Sequence, residues 1–162
     1  MSISPNPLTV GDQQIPAYTA ADSWTSENSL LRLQKVTALL MDLPSYDLSE
    51  TTIPGSTLKW IVEALSPLGI NLVSVLPVSS ASLYRQYKKE DIDTSLKDHL
   101  ISLLRIVDQG LQTWENEQQL QEWLNARIEN LGNRRPIDLL HLETGRREVE
   151  QALARIEYGL YG

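Results

Sequence analysis

Apolar residues recur along this chain at helical rather than alternating spacing. Leu30, Leu33, Val36, Leu40 and Leu43 mark one stripe, widened by Leu31 and Leu39. They predict a helix over about 26–43, capped by Thr25 or Ser26 and ended at Pro44. Leu58, Ile61, Val62 and Leu65 predict a second, with Ser56 as its cap and Pro67 and Gly69 breaking it. The run INLVSVL (70–76) suits a strand by its Val and Ile content, but a short helix is preferred because no partner strand is visible. After Pro77, Ser79 or Ser80 caps a short helix reaching about Lys89. The plainest periodicity is Leu96, Leu100, Leu103, Leu104, Val107, Leu111 and Trp114, predicting a helix over 94–114 capped by Asp93 or Thr94.

Beyond it, a helix over about 116–125 buries Leu120, Trp123 and Leu124. Gly132 falls in a loop. Pro136 opens a short helix, where its missing N–H costs nothing. A last helix over about 143–158 turns Val149, Ala152, Leu153 and Ile156 inward and stops at Gly159. Residues 1–22, punctuated by Pro5, Pro7 and Pro16, predict a poorly ordered arm. The fold class expected is all-α, divided into an extension (1–55), a helix-turn-helix region (56–114) and a C-terminal domain (115–162).

Composition narrows the chemistry. The 162 residues suffice for a core without staples, and the absence of Cys excludes disulfides and thiolate ligands. The start, MSISPNPLTVGDQQIP, has no basic stretch leading an apolar run, so no secretory signal is expected; with no apolar run of membrane-spanning length, a cytoplasmic protein is expected. Net charge is −7, distributed as −4 over 1–55, 0 over 56–110 and −3 over 111–162. That argues against indiscriminate nucleic-acid binding while leaving room for a local basic face.

Four constellations are candidates. The segment 72–89 has the layout of two short helices around a tight turn, with Ser82, Arg85, Lys88 and Lys89 on one face and Leu83 and Tyr87 anchoring the other. Either a DNA-contacting face or a solvated face of a core helix fits that pattern. The two histidines, His99 and His141, lack metal-ligand spacing; His99 reads as a surface residue and His141 as structural. No nucleophile elbow, phosphate loop or dinucleotide fingerprint occurs, so neither an enzyme nor a cofactor or metal site is expected. Arg134, Arg135, Arg146 and Arg147 flank PIDLL among several acids, either as a salt-bridge network or as a charged rim around a docking surface. The end, IEYGLYG, offers Ile156, Tyr158, Leu160 and Tyr161 as anchors for its own core or for a partner.

The order WL, Gly132, RRPIDLL and ETGRREVE…LARIEYGLY resembles the toxin-binding domain of Xre/MbcA/ParS-type antitoxins, and VSSASLYRQY…LISLLRIVDQGLQTW resembles the Xre-like region upstream of it. The likeness covers roughly 56–162. It implies an antitoxin partnered with a RES-type, NAD-consuming toxin, whose active-site entrance the C-terminal end covers. It implies a toxin-binding surface of Arg155, Ile156, Glu157, Tyr158, Leu160, Tyr161 and Gly162. It further implies a homodimer binding operator DNA through Ser80, Ser82, Arg85, Lys88 and Lys89. The chain departs from the family where INLVSVL is short and Pro77 stands at the turn, which puts more weight on toxin binding. Two other readings stand beside it: a stand-alone helix-turn-helix regulator, and an oligomeric scaffold joined through helix 26–43.

Overall fold

The computed structural model describes residues 9–10, 13–14, 33–34, 37–38, 50–114 and 116–159. Six α-helices with defined bounds dominate them: α1 (Gly55–Leu65), α2 (Leu72–Val75), α3 (Ser80–Gln86), α4 (Thr94–Thr113), α5 (Glu117–Asn125) and α6 (Glu143–Glu157). Within the expected N-terminal arm, Thr9–Val10 and Gln13–Gln14 pair antiparallel, Thr9 opposite Gln14. This two-residue ladder forms no sheet layer, and the architecture is all-α as the periodicity predicts. Of the helix expected over 26–43, Leu33, Gln34, Thr37 and Ala38 are helical, with Leu33 and Thr37 buried and Thr37 Oγ1 donating to the Leu33 carbonyl at 2.8 Å. The remainder of that helix lies outside the described residues.

α1 begins at Gly55 behind an extended Pro54, so Ser56 sits inside the first turn rather than capping it. Packing dictates that start. A Cβ on Gly55 would lie 2.2 Å from the Gln86 carbonyl oxygen, and its N–H donates to the Lys89 carbonyl at 2.9 Å. The helix therefore starts where it meets the end of α3. Leu58, Ile61 and Leu65 are fully buried at the expected spacing, joined by Trp60 and Ala64.

The ambiguous run at 70–76 resolves as one helical turn. Asn71 Oδ1 accepts the Val73 N–H at 3.0 Å, and Leu76 leaves the helix extended, as a residue before proline prefers. Ser79 caps α3 by accepting the Ser82 N–H at 3.2 Å. α3 stops at Gln86, short of the expected Lys89, because the chain tightens there: the Lys88 and Lys89 N–H groups donate to the carbonyls of Arg85 and Gln86.

α4 is the spine. Leu96, Leu100, Leu103, Leu104 and Val107 are buried as the stripe predicts, and Ile101, Ile106 and Lys97 are buried too, so α4 is covered on more than one side. Lys97 is only 2% exposed. Its ammonium pairs with Asp91 at 2.8 Å, while Asp91 Oδ1 accepts the Ile53 N–H at 3.0 Å. The Ile92 N–H donates to the Ile53 carbonyl at 2.9 Å, completing a clasp between the strand of chain entering α1 and the loop entering α4. Burial pushes Asp91 up, but the hydrogen bonds from Lys97 and Ile53 together with the Lys97 charge hold its carboxyl below the ordinary value.

The C-terminal half packs on the other end of α4. Asn116 caps α5 by accepting the Gln119 N–H at 2.9 Å, and Leu120, Trp123 and Leu124 are buried as expected. Single turns at Glu129–Leu131 and Pro136–Leu139 lead into α6, which lies along α4. Gly145 permits close contact: a Cβ there would sit 2.0 Å from the Leu139 carbonyl oxygen. The buried apolar residues form one cluster running from Leu33 to Leu153.

Candidate interaction surfaces

α6 leaves the core gradually. Val149 and Leu153 are fully buried, Ile156 is half-buried against the cluster, and Arg155 and Glu157 are exposed. Tyr158 is 75% exposed at the C-cap, its N–H donating to the Ala154 carbonyl at 3.0 Å. Gly159 adopts a φ of 67°, which a glycine reaches without steric cost, and ends the helix where the sequence places its stop. Arg155, Ile156, Glu157 and Tyr158 thus share the final turn. Leu160, Tyr161 and Gly162 lie outside the described residues.

A single buried guanidinium holds the other end of α6. Arg146, read from sequence as one of four surface arginines, is 2% exposed. Its Nε donates to Ser102 Oγ at 3.0 Å, its Nη1 to the Leu140 carbonyl at 2.8 Å, and its Nη2 lies 2.8 Å from His99 Nδ1. His99 is accordingly half-buried and not a plain surface residue. Burial pushes the Arg146 guanidinium below its ordinary value, opposed by the charges of Glu143 and Glu150. His141, read as structural, is exposed. An alternation of hydrophobic and polar neighbours cannot tell which of two histidines meets an arginine 47 positions away.

The other arginines are exposed and paired. Arg135 grips Asp138 through two bonds of 2.8 and 2.9 Å, and Arg134 meets Glu148 at 3.0 Å while its Nε donates to the Leu131 carbonyl. Arg147 faces Glu143 at 3.6 Å. The hydrogen bond from Arg135 holds the Asp138 carboxyl below the usual range. Leu142, the residue just before α6, is 56% exposed, which the apolar pattern does not signal.

α3 presents the second surface. Ser80, Arg85, Lys88 and Lys89 are exposed and Ser82 is half-buried, while Leu83 and Gln86 point into the core and Tyr87 packs against it. The cations are not equivalent. Lys89 is bound to Asp93, which also accepts from Gln86 Nε2 at 2.7 Å. The hydrogen bonds from Lys89 and Gln86 keep the Asp93 carboxyl below its ordinary value. Asp93 therefore clamps α3 rather than capping α4 with its side chain. Arg85 donates to Ser82 Oγ at 2.9 Å. A notch of about 310 Å³ separates α3 from the first turn of α4, bordered by Arg85, Lys89, Asp93 and Ser95. Tyr84, 68% exposed, is the large side chain on this face that the sequence reading left out.

Among the described residues no helix is long and apolar enough to cross a membrane, and no group of three or more His, Asp or Glu side chains is placed to hold a metal ion.

Residues 109–159 match the family model of the antitoxin Xre/MbcA/ParS C-terminal toxin-binding domain. The match runs from the last turn of α4 to Gly159, so it takes in α5, the Arg135–Asp138 turn, the Arg146 anchor and the exposed end of α6. It supports an antitoxin role with a toxin partner, and it lies wholly beyond α3. No curated protein matches the chain.

Proposed function

We propose that this chain is the antitoxin of a toxin–antitoxin pair and that it neutralises its partner by binding through the last turn of α6 and the residues after it. The observation that carries this reading is the coincidence of the matched region, 109–159, with a helix end whose Arg155, Glu157 and Tyr158 are exposed. Protein interfaces draw most of their affinity from a few central anchors, often Tyr and Arg flanked by apolar side chains. Tyr158 and half-buried Ile156 supply such anchors, and Leu160, Tyr161 and Gly162, which follow them in the sequence, belong to the same proposed toxin-binding set. The partner is a RES-type, NAD-consuming toxin, and inhibition is steric: the C-terminal end occupies the entrance to the toxin's NAD site. The mechanism requires no chemistry from the antitoxin, which acts in the cytoplasm as a homodimer.

A second activity, repression of its own operon, is favoured by one feature. From Ser56 to Lys88 three cations, Lys59, Arg85 and Lys88, stand against one acid, Glu63, in a chain of net charge −7, and Lys89 beyond them is bound by Asp93. That basic island suits operator DNA contacted from α3. A stand-alone regulator needs only this face; an antitoxin needs the end of α6 as well.

Co-expression with the product of the neighbouring reading frame separates the two. The antitoxin reading predicts co-purification, and restored growth and NAD levels in cells making the toxin. Unrelieved toxicity, with no complex on purification, would contradict the antitoxin reading.

A further inference from the structure

We infer that Tyr84 is the base-contacting residue of α3, with Arg85 and Lys88 as its flanking phosphate ligands, whereas Lys89 serves to hold the helix in place; this rests on the DNA-binding activity proposed above. The face of α3 that meets solvent consists of Ser80, Ala81, Tyr84 and Arg85, at helical spacing, and Lys88 is exposed in the turn that follows. Tyr84 lies at its centre and is 68% exposed. Its ring is braced edge-on against Tyr87, with centroids 5.7 Å apart and planes at 83°, and Tyr87 is itself packed on the core. A large aromatic side chain held outward in one orientation loses little freedom on contact. Its ring edge fits a thymine methyl in the major groove, and its hydroxyl supplies a hydrogen-bonding tip.

The neighbouring cations divide by partner. Among the described residues Arg85 bonds only a neutral hydroxyl, that of Ser82, so its charge stays available to a phosphate, and Lys88 is exposed in the turn just after α3. Lys89 is neutralised by Asp93, and Asp93 in turn fixes Gln86 through two hydrogen bonds. A phosphate approaching Lys89 would have to displace a carboxylate. Spacing alone groups Lys89 with Lys88; the structure puts them to different uses.

The experiment selects binding sequences from a randomised duplex pool with the full chain. It then measures fluorescence anisotropy on the selected duplex and a scrambled one over a range of salt. Tyr84→Ala is expected to keep the wild-type helical signal and salt slope on scrambled DNA while its preference for the selected duplex falls by roughly tenfold or more. Arg85→Ala and Lys88→Ala should each reduce the salt slope by about 1 without changing preference, and Lys89→Ala should leave the slope unchanged. If Tyr84→Ala retains the wild-type preference, the assignment fails while DNA binding stands. If the wild-type chain selects no sequence and binds no duplex, both fail. A Tyr84→Ala protein that changes its mass in light scattering would make the face a contact between copies, which also overturns the assignment.

Discussion

Arg146 and Lys97 bury full charges in a protein otherwise packed with Leu, Ile and Val, and each does so to join distant segments. Arg146 joins α6 to α4 through Ser102 and His99, and to the turn before α6 through the Leu140 carbonyl. Removing it strands those acceptors and leaves a cavity. Arg146→Ala should lower stability by about 2–4 kcal/mol, read as a lower urea midpoint at unchanged slope. Lys97 depends on Asp91 for its counter-charge. Asp91→Asn should destabilise the protein at pH 7 by about 1–3 kcal/mol, because a buried ammonium loses its partner while the exposed side of the pair regains water. The pH dependence has a definite sign. The folded Asp91 carboxyl titrates below its ordinary 3.8, so its contribution is fully present above that value and is lost as pH falls through the lowered one. Acid unfolding monitored by circular dichroism should therefore begin less steeply in Asp91→Asn than in the wild type.

At the level of elements, the periodic stretches were legible and the contacts between them were not. The α4 stripe, the cap at Ser79 (one of two serines offered), the proline-led turn at Pro136 and the stop at Gly159 all follow from local rules, and the structure places them as those rules require. The start of α1 and the early end of α3 were misjudged for one shared reason: Gly55 and Lys89 meet there, and only tertiary contact sets that boundary. The candidate site followed the same division. Exposure of Arg155, Glu157 and Tyr158 is what an amphipathic helix running past its core predicts, whereas burial of Arg146 and capture of Lys89 by Asp93 depend on partners that spacing does not specify. Gly145 tests how closely α6 must approach. Because the atom in the way is backbone, Gly145→Ala should cost about 1–3 kcal/mol and loosen the Pro136–Leu139 turn, seen as faster amide exchange there and in the first turn of α6.

Taken as a whole molecule, the chain separates two faces on one continuous core. α3 offers positive charge near one end of α4, and α6 offers an aromatic, charged end in the matched region. Calorimetric titration of the purified toxin with the full chain and with a chain ending at Glu157 decides whether the end of α6 and the residues after it carry the binding. The shortened chain should keep its helical signal and melting temperature within a few degrees but bind at least about 30-fold more weakly. Equal affinity for the two chains would contradict the binding role of that end.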